Sequence, residues 1–196
     1  MNKTLVLFDF DGTLTKRDTF NQFIFFAKGI SKGLAGYVLF SPYVALFFLK
    51  ILKGSSLKEK MTSFFLKGES EIALKKKGEE FIVHLHASDQ FKKELLAKML
   101  WHKKSNDTVC VVSASLDIWI KPFAAQYGID HICTEVKYEN EAFSGNFRTP
   151  NCNHGEKAVR IKQAYNLSDY SKIIAYGNSK GDQAMFDLSN EVNWIK

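Results

Sequence analysis

Apolar and polar positions divide this chain of 196 residues into two kinds of segment. Short runs dominated by apolar residues lie at Thr4–Phe10, Thr108–Ser113, His131–Val136, Lys172–Tyr176 and, more briefly, Glu191–Ile195. Runs of that length with little alternation are the signature of strands buried on both faces, as in a parallel sheet covered by helices. Helical spacing appears at Asp117–Tyr127, Gly155–Tyr165 and Asp182–Leu188, between the later strands. Between the first two strands the pattern is helical throughout: Thr19–Lys28, Lys32–Leu52, Ser56–Leu66, Ser70–His86 and Ser88–Lys103. Phe81, Val83, Leu85, Phe91, Leu95, Leu96 and Met99 give the last two an inward face. The expectation is an α/β fold with a three-layer, Rossmann-like core built from residues 1–16 and 105–196, and an all-α insertion over 17–104. Val136–Arg148, with Tyr138-Glu139-Asn140-Glu141-Ala142-Phe143, predicts a β-hairpin at the edge of that core.

One stretch departs from the amphipathic norm. Gly33–Leu49 contains no charged residue and is flanked by lysines. Three readings are open: a helix buried in the core of the insertion, an apolar surface touching a bilayer or a lipid-like substrate, and a membrane span. Two Gly, Ser41 and Pro42 weigh against the span.

The first strand runs into Asp9-Phe10-Asp11-Gly12-Thr13. Residues two apart on a strand share a face, so Asp9 and Asp11 are expected side by side at the strand's C-terminal end, where open α/β sheets bind ligands. Two adjacent carboxylates repel unless a cation lies between them, and hard cations such as Mg²⁺ take oxygen ligands. Asp-x-Asp also occurs in ordinary turns, so the remaining motifs must agree. Ser113 ends the second strand in Val-Val-Ser-Ala-Ser, where a hydroxyl and the neighbouring Ala114 backbone can hold a phosphate oxygen. Ser115 equally suits a helix N-cap. Lys157, at the start of a helix after Asn151-Cys152-Asn153-His154-Gly155-Glu156, can neutralise a phosphoryl group or be a surface charge. Gly177-Asn178-Ser179-Lys180-Gly181-Asp182 follows a strand and offers oxygens for a cation, or a simple turn.

Charge adds a constraint. The net charge is +6, and Thr19–Lys104 carries 15 Lys against 7 acids. That suits an anionic partner, whether phosphorylated metabolite or acidic lipid surface, and equally a solvated helical face. No nucleic-acid-binding module is recognisable. Arginine is confined to Arg17, Arg148 and Arg160, and none lies between Thr19 and Lys104, so that segment lacks the usual bidentate clamp for carboxylates. Cys110, Cys133 and Cys152 show no paired spacing, which fits buried thiols in a reducing, cytoplasmic compartment. Asp9 and Asp11 interrupt any signal-peptide core. His84, His86, His102 and His131 lack metal-ligand spacing, and His154 is expected in loop structure.

The string Asp9-Phe10-Asp11-Gly12-Thr13-Leu14-Thr15, then Ser113, Lys157 and Asn178-Ser179-Lys180-Gly181-Asp182, resembles the four motifs of the haloacid dehalogenase (HAD) superfamily in order. The long helical insertion looks like the cap of its phosphoserine phosphatase-like subfamily. The resemblance implies a phosphatase with nucleophile Asp9, acid/base Asp11, and phosphate contacts from Ser113, Ala114 and Lys157. It implies Mg²⁺ held by Asp9, the Asp11 main chain and Asn178, with Asp182 nearby. Two departures stand out. The subfamily's final motif usually begins Gly-Asp, where this chain has Gly177-Asn178. The Glu and cap Arg that recognise phosphoserine are replaced by Asp18 and by no Arg at all, so phosphoserine is disfavoured as substrate. A small phosphorylated metabolite is the first expectation. A phosphatidylglycerophosphate-type lipid phosphate at the inner face of a membrane is the second. A non-catalytic phospholigand-binding scaffold is the third.

Overall fold

The computed structural model describes residues 3–49 and 54–196. Five parallel strands form the central sheet: β1 (Thr4–Phe8), β2 (Thr108–Leu116), β3 (Asp130–Thr134), β6 (Lys172–Gly177) and β7 (Glu191–Trp194). Their spatial order is β3-β2-β1-β6-β7. β1 lies at the centre, with Leu7 opposite Cys110 on one side and Ala175 on the other. The chain leaves β1 toward β2 and returns to pair β6 on its other edge. β1 and β6 therefore flank the point where crossovers run in opposite directions, and a crevice opens there at the strands' C-terminal ends.

Alternation along β1 divides the core into two layers. Leu5 and Leu7 pack with Cys110, Val112, Ile161, Met185 and Phe186, beneath α7 (Gly155–Ala164) and α8 (Gln183–Phe186). Val6 and Phe8 face the larger layer with Phe23, Phe81, Trp119 and Phe123. That layer is roofed by α1 (Thr19–Lys28), α4 (Glu71–Ala87), α5 (Lys93–Lys104) and α6 (Asp117–Tyr127). α4 lies tightly on α6 at Gly78, where an added Cβ would sit 1.7 Å from the Ile118 carbonyl oxygen. All three cysteines are free and buried.

The helical insertion forms as expected, with α2 (Ile30–Phe48) and α3 (Gly54–Leu66) completing the series. The expected Lys32–Leu52 helix starts two residues earlier, and its final residues lie outside the described residues. Among the described side chains of α2 only one face is covered, so a helix wholly buried in the cap is corrected: Gly33, Gly36 and Phe40 turn inward while Leu34, Val38 and Leu39 are exposed. Among the described residues no single helix is long and apolar enough to cross a membrane, although α1 and the first part of α2 would together reach that length across a 120° bend.

The insertion is closed at its base. Lys16 N–H donates to the Gln90 carbonyl at 2.8 Å, Lys92 N–H to the Leu14 carbonyl at 2.8 Å, and Thr15 bridges Phe91 between them. The hairpin is present as β4 (Val136–Glu139) and β5 (Ala142–Phe147), turned by Asn140 and Glu141, both at positive φ. Its function is more than edge packing. Phe147 N–H donates to Glu59 on α3 at 2.7 Å, and Phe143 exchanges main-chain bonds with Gly68 and Glu69.

Candidate active site

β1 ends at Phe8, two residues earlier than its apolar run suggests. Asp9 continues the ladder only through its N–H, donated to the Tyr176 carbonyl at 2.8 Å. Phe10–Leu14 then forms a wide turn closed by the Thr15 N–H to the Phe10 carbonyl at 3.0 Å, with Asp11 and Gly12 (φ 75°) outside helical backbone angles. Only a residue without a Cβ fits there: besides the left-handed backbone, an added Cβ would lie 2.1 Å from Asn178 Nδ2. The expected strand geometry for Asp9 and Asp11 is therefore corrected. Each carboxylate has its own partners, although both line the same cleft.

Asp9 is buried, 6% exposed. Lys157 Nζ donates to its Oδ1 at 2.6 Å and Thr13 Oγ1 to its Oδ2 at 3.1 Å. Burial pushes the Asp9 carboxyl up to about 6 against the pull of Lys157, and repulsion from Asp182 and Asp11 adds to the rise. Asp11 is held by α1 and β2 instead. Thr19 N–H donates to Oδ1 at 2.7 Å, the Thr19 hydroxyl also donates to Oδ1, and the Ser115 hydroxyl donates to Oδ2. Trp119 Nε1 donates to Thr19 Oγ1 at 3.0 Å and fixes that hydroxyl. Ser115 thus serves Asp11 rather than capping α6, whose first turn has no side-chain cap.

Lys157 is 1% exposed and spends all three protons: on Asp9, on Asp182 Oδ1 at 2.6 Å and on the Val112 carbonyl at 2.7 Å. Burial would depress this ammonium, but Asp9 and Asp182 outweigh it and hold the group above the ordinary lysine value. The other oxygen of Asp182 accepts from Asn178 N–H at 3.1 Å, Ser179 N–H at 2.9 Å and Ser179 Oγ at 2.9 Å. Both Asp182 oxygens are therefore engaged in orienting Lys157 and shaping the 178–182 turn. Ser113 is buried, and its hydroxyl accepts from Ser115 N–H at 3.0 Å, which leaves its own proton to give.

Asp9, Asp11, Asp18, Ser113, Ala114, Lys157, Asn178 and Asp182 all line one cleft of about 950 Å³. Asp18 stands at its rim as the N-cap of α1, accepting from Asn21 N–H at 3.2 Å. The sequence reading missed Lys58 of α3. Its Nζ donates to the Ala114 carbonyl at 2.8 Å and lies 5.3 Å from the centre of the Phe20 ring. Burial lowers this ammonium's pKa, partly countered by Asp11, Asp18 and Asp9. Lys16, Arg17, Asn151, Asn153 and His154 also border the cleft. His154 sits in loop structure, as expected, at φ 51° just before α7.

The donors around Gly12 suit a hard cation. Asp9, Asp11 and Asn178 offer carboxylate, main-chain and amide oxygens on the same cleft. Asp9 and Asp182 share one ammonium, which leaves a surplus negative charge between them. Among the described residues no group of three or more His, Cys, Asp or Glu is arranged to hold a metal, so main-chain and amide oxygens would have to complete any shell.

Comparison with known proteins agrees with this fold. Protein CicA of Caulobacter vibrioides is 27% identical over 189 residues, spanning 95% of this chain and 83% of its own. A protein of unknown function from Bordetella pertussis Tohama I superposes with a TM-score of 0.83 at 20% identity, covering 98% of this chain and 89% of that one. A phosphoserine phosphatase described as a phospho-aspartyl intermediate analogue gives 0.62 at 18% identity, covering 98% and 86%. Residues 6–187 match the haloacid dehalogenase-like hydrolase family. With nearly the whole chain matched and the parallel sheet and helical insertion in place, the protein belongs to that family.

Proposed function

We propose that the protein is a Mg²⁺-dependent phosphomonoesterase working through an aspartyl-phosphate. The observation that carries this reading is the convergence of Asp9, Asp11, Ser113, Lys157 and Asn178 on one cleft at the sheet's topological switch point. The Asp9 carboxylate attacks phosphorus as the bond to the leaving oxygen breaks, and the phosphoryl group is carried on Asp9. Asp11, oriented by Thr19 and Ser115, gives its proton to the departing alkoxide. It then takes a proton from the water that releases inorganic phosphate. Ser113 donates its free proton to a phosphoryl oxygen. Lys157 redirects one of its three bonds to another, within a cleft where such contacts gain strength from burial. Mg²⁺, when bound, offsets the charge between nucleophile and phosphate, and Asp9, the Asp11 carbonyl and Asn178 would hold it. Asp182 positions Lys157 and the 178–182 turn, and stands near the cation that Asp9 and Asn178 would hold.

The substrate is a small phosphorylated metabolite whose remaining part meets Lys58 and Asp18. A lipid phosphate is the second reading, favoured by the exposed apolar side of α2 on the same cap. The test is release of inorganic phosphate from an aryl phosphate and from a panel that includes phospholipids, with Mg²⁺ and with EDTA. Mg²⁺-dependent release that disappears in Asp9→Asn is expected. Failure to hydrolyse any member would favour a phospholigand-binding scaffold, and release by Asp9→Asn would sink the nucleophile assignment.

A further inference from the structure

α2 is apolar around its whole circumference, a composition that ordinarily requires cover on every side. Among its described side chains, cover reaches only part of the surface. Gly33 meets Phe25 of α1, Gly36 meets Phe65 of α3, and the Tyr37 hydroxyl bonds Asn21. On the opposite side Leu34, Val38, Leu39 and Leu49 are between 59% and 70% exposed, with Tyr43 beside them. Large aliphatic side chains clustered at that exposure mark a surface built to be covered.

Charge says by what. From Thr19 to Lys58 the chain has five lysines and no Asp or Glu. Lys28 is paired with Glu69, and Lys58 is turned into the cleft. Lys32 is exposed at the start of the apolar face, and neither it nor Lys60 forms an ion pair among the described residues. Lys60 lies 5.9 Å from the ring centre of Tyr43 and borders a groove of about 210 Å³ lined by Phe40, Tyr43, Ser63 and Phe64. An apolar strip edged by lysines, with a Tyr at its margin, matches the interface of an anionic bilayer: aliphatic groups enter the acyl boundary and ammonium groups stay among the phosphates. A second copy of the chain fits less well, because it would set these lysines against each other.

We propose that the outer face of α2 docks the protein on anionic membrane surfaces, lying in the interface rather than crossing it. The docking goes beyond the hydrolytic reading and does not depend on it. α2 packs on α1 and α3, whose Asp18 and Lys58 border the cleft, so docking and substrate access share the same helices.

The test is sedimentation with phosphatidylcholine vesicles, with and without about 30 mol% phosphatidylglycerol, using the full chain and the Val38→Glu/Leu39→Glu variant. Binding to the anionic vesicles is expected, weakened by salt and absent from the neutral ones. Each buried aliphatic side chain is worth about tenfold in partitioning, so the double variant should lose about a hundredfold or more. Its circular dichroism and aryl-phosphate hydrolysis should match those of the parent, which separates lost docking from lost folding. Two results would overturn the proposal: no binding of the parent to anionic vesicles, or equal binding by the variant. A stable dimer in analytical ultracentrifugation that the variant abolishes would assign the face to self-association instead.

Discussion

Replacing Asp9 by Asn is expected to stabilise the metal-free protein while abolishing turnover. In the native state Asp9 and Asp182 compete for the single Lys157 ammonium, and burial raises the Asp9 carboxyl from its ordinary 3.8 to about 6. A raised carboxyl means that the native state holds its proton more tightly than the unfolded chain does. Below pH 3.8 both states are protonated and Asp9 costs nothing. As pH climbs through 6 the penalty reaches its full size, about 3 kcal/mol at about 1.4 kcal/mol per pH unit. Asn nearly matches the shape without the charge. Its Oδ1 can accept from Lys157 and its amide can donate to Thr13 Oγ1, reversing the present bond. Some attraction to Lys157 is lost, so a gain of about 1–3 kcal/mol is expected at pH 7.5, shrinking toward zero at pH 4. Urea denaturation in EDTA at both pH values measures it, with phosphate release assayed on the same samples. An Asn variant less stable than the parent at pH 7.5, or a gain that does not change with pH, would refute this account of the Asp9 environment.

Other perturbations bear on different parts of the site and frame. Lys157→Met strands two buried carboxylates and should cost about 3–5 kcal/mol at pH 7.5, less in acid where they can protonate, as read by urea denaturation across pH. Gly78→Ala drives a methyl against the Ile118 carbonyl and should lower stability by about 1–3 kcal/mol, visible as a reduced melting temperature with the Mg²⁺ requirement unchanged. Asn178→Asp adds a charged oxygen donor beside Gly12 and should lower the Mg²⁺ concentration needed for half-maximal activity about tenfold; a rise in that concentration would count against Asn178 as a ligand.

Much of the frame was legible because it rests on local pattern. β1, β2 and β6 are near-continuous apolar runs, and burial on both faces demands that composition. The hairpin announced itself through alternation around Asn140 and Glu141, which tolerate or accept positive φ at its turn. The order of motifs along the chain also foretold which side chains would line the cleft. What escaped were relations between distant segments. Asp11 was paired with Asp9 by strand spacing, whereas its real partners, Thr19 and Ser115, come from a helix start and a strand end. Lys58 looks like any helical surface lysine until α3 folds its ammonium onto Ala114, 56 positions away. That Asp182 also orients Lys157 and shapes the 178–182 turn could not be read locally, since Lys157 lies 25 positions away. The hairpin's grip on α3 was equally invisible, since it depends on Glu59 accepting from Phe147.

The closed neck where residues 14–16 run antiparallel to residues 90–92 has an architectural consequence. Roughly seventy residues leave and rejoin the sheet at nearly the same point, so their length adds little strain to the pairing of β1 with β2. Changes in the length of the excursion can be absorbed beyond this neck, although Thr19 and Lys58 on its inner helices must stay to hold Asp11 and Ala114. Lys92 secures the junction further, its Nζ donating to the Gly12 carbonyl at 2.7 Å. The path out of the sheet and the path back are thus fastened beside the same loop that carries Asp9 and Asp11.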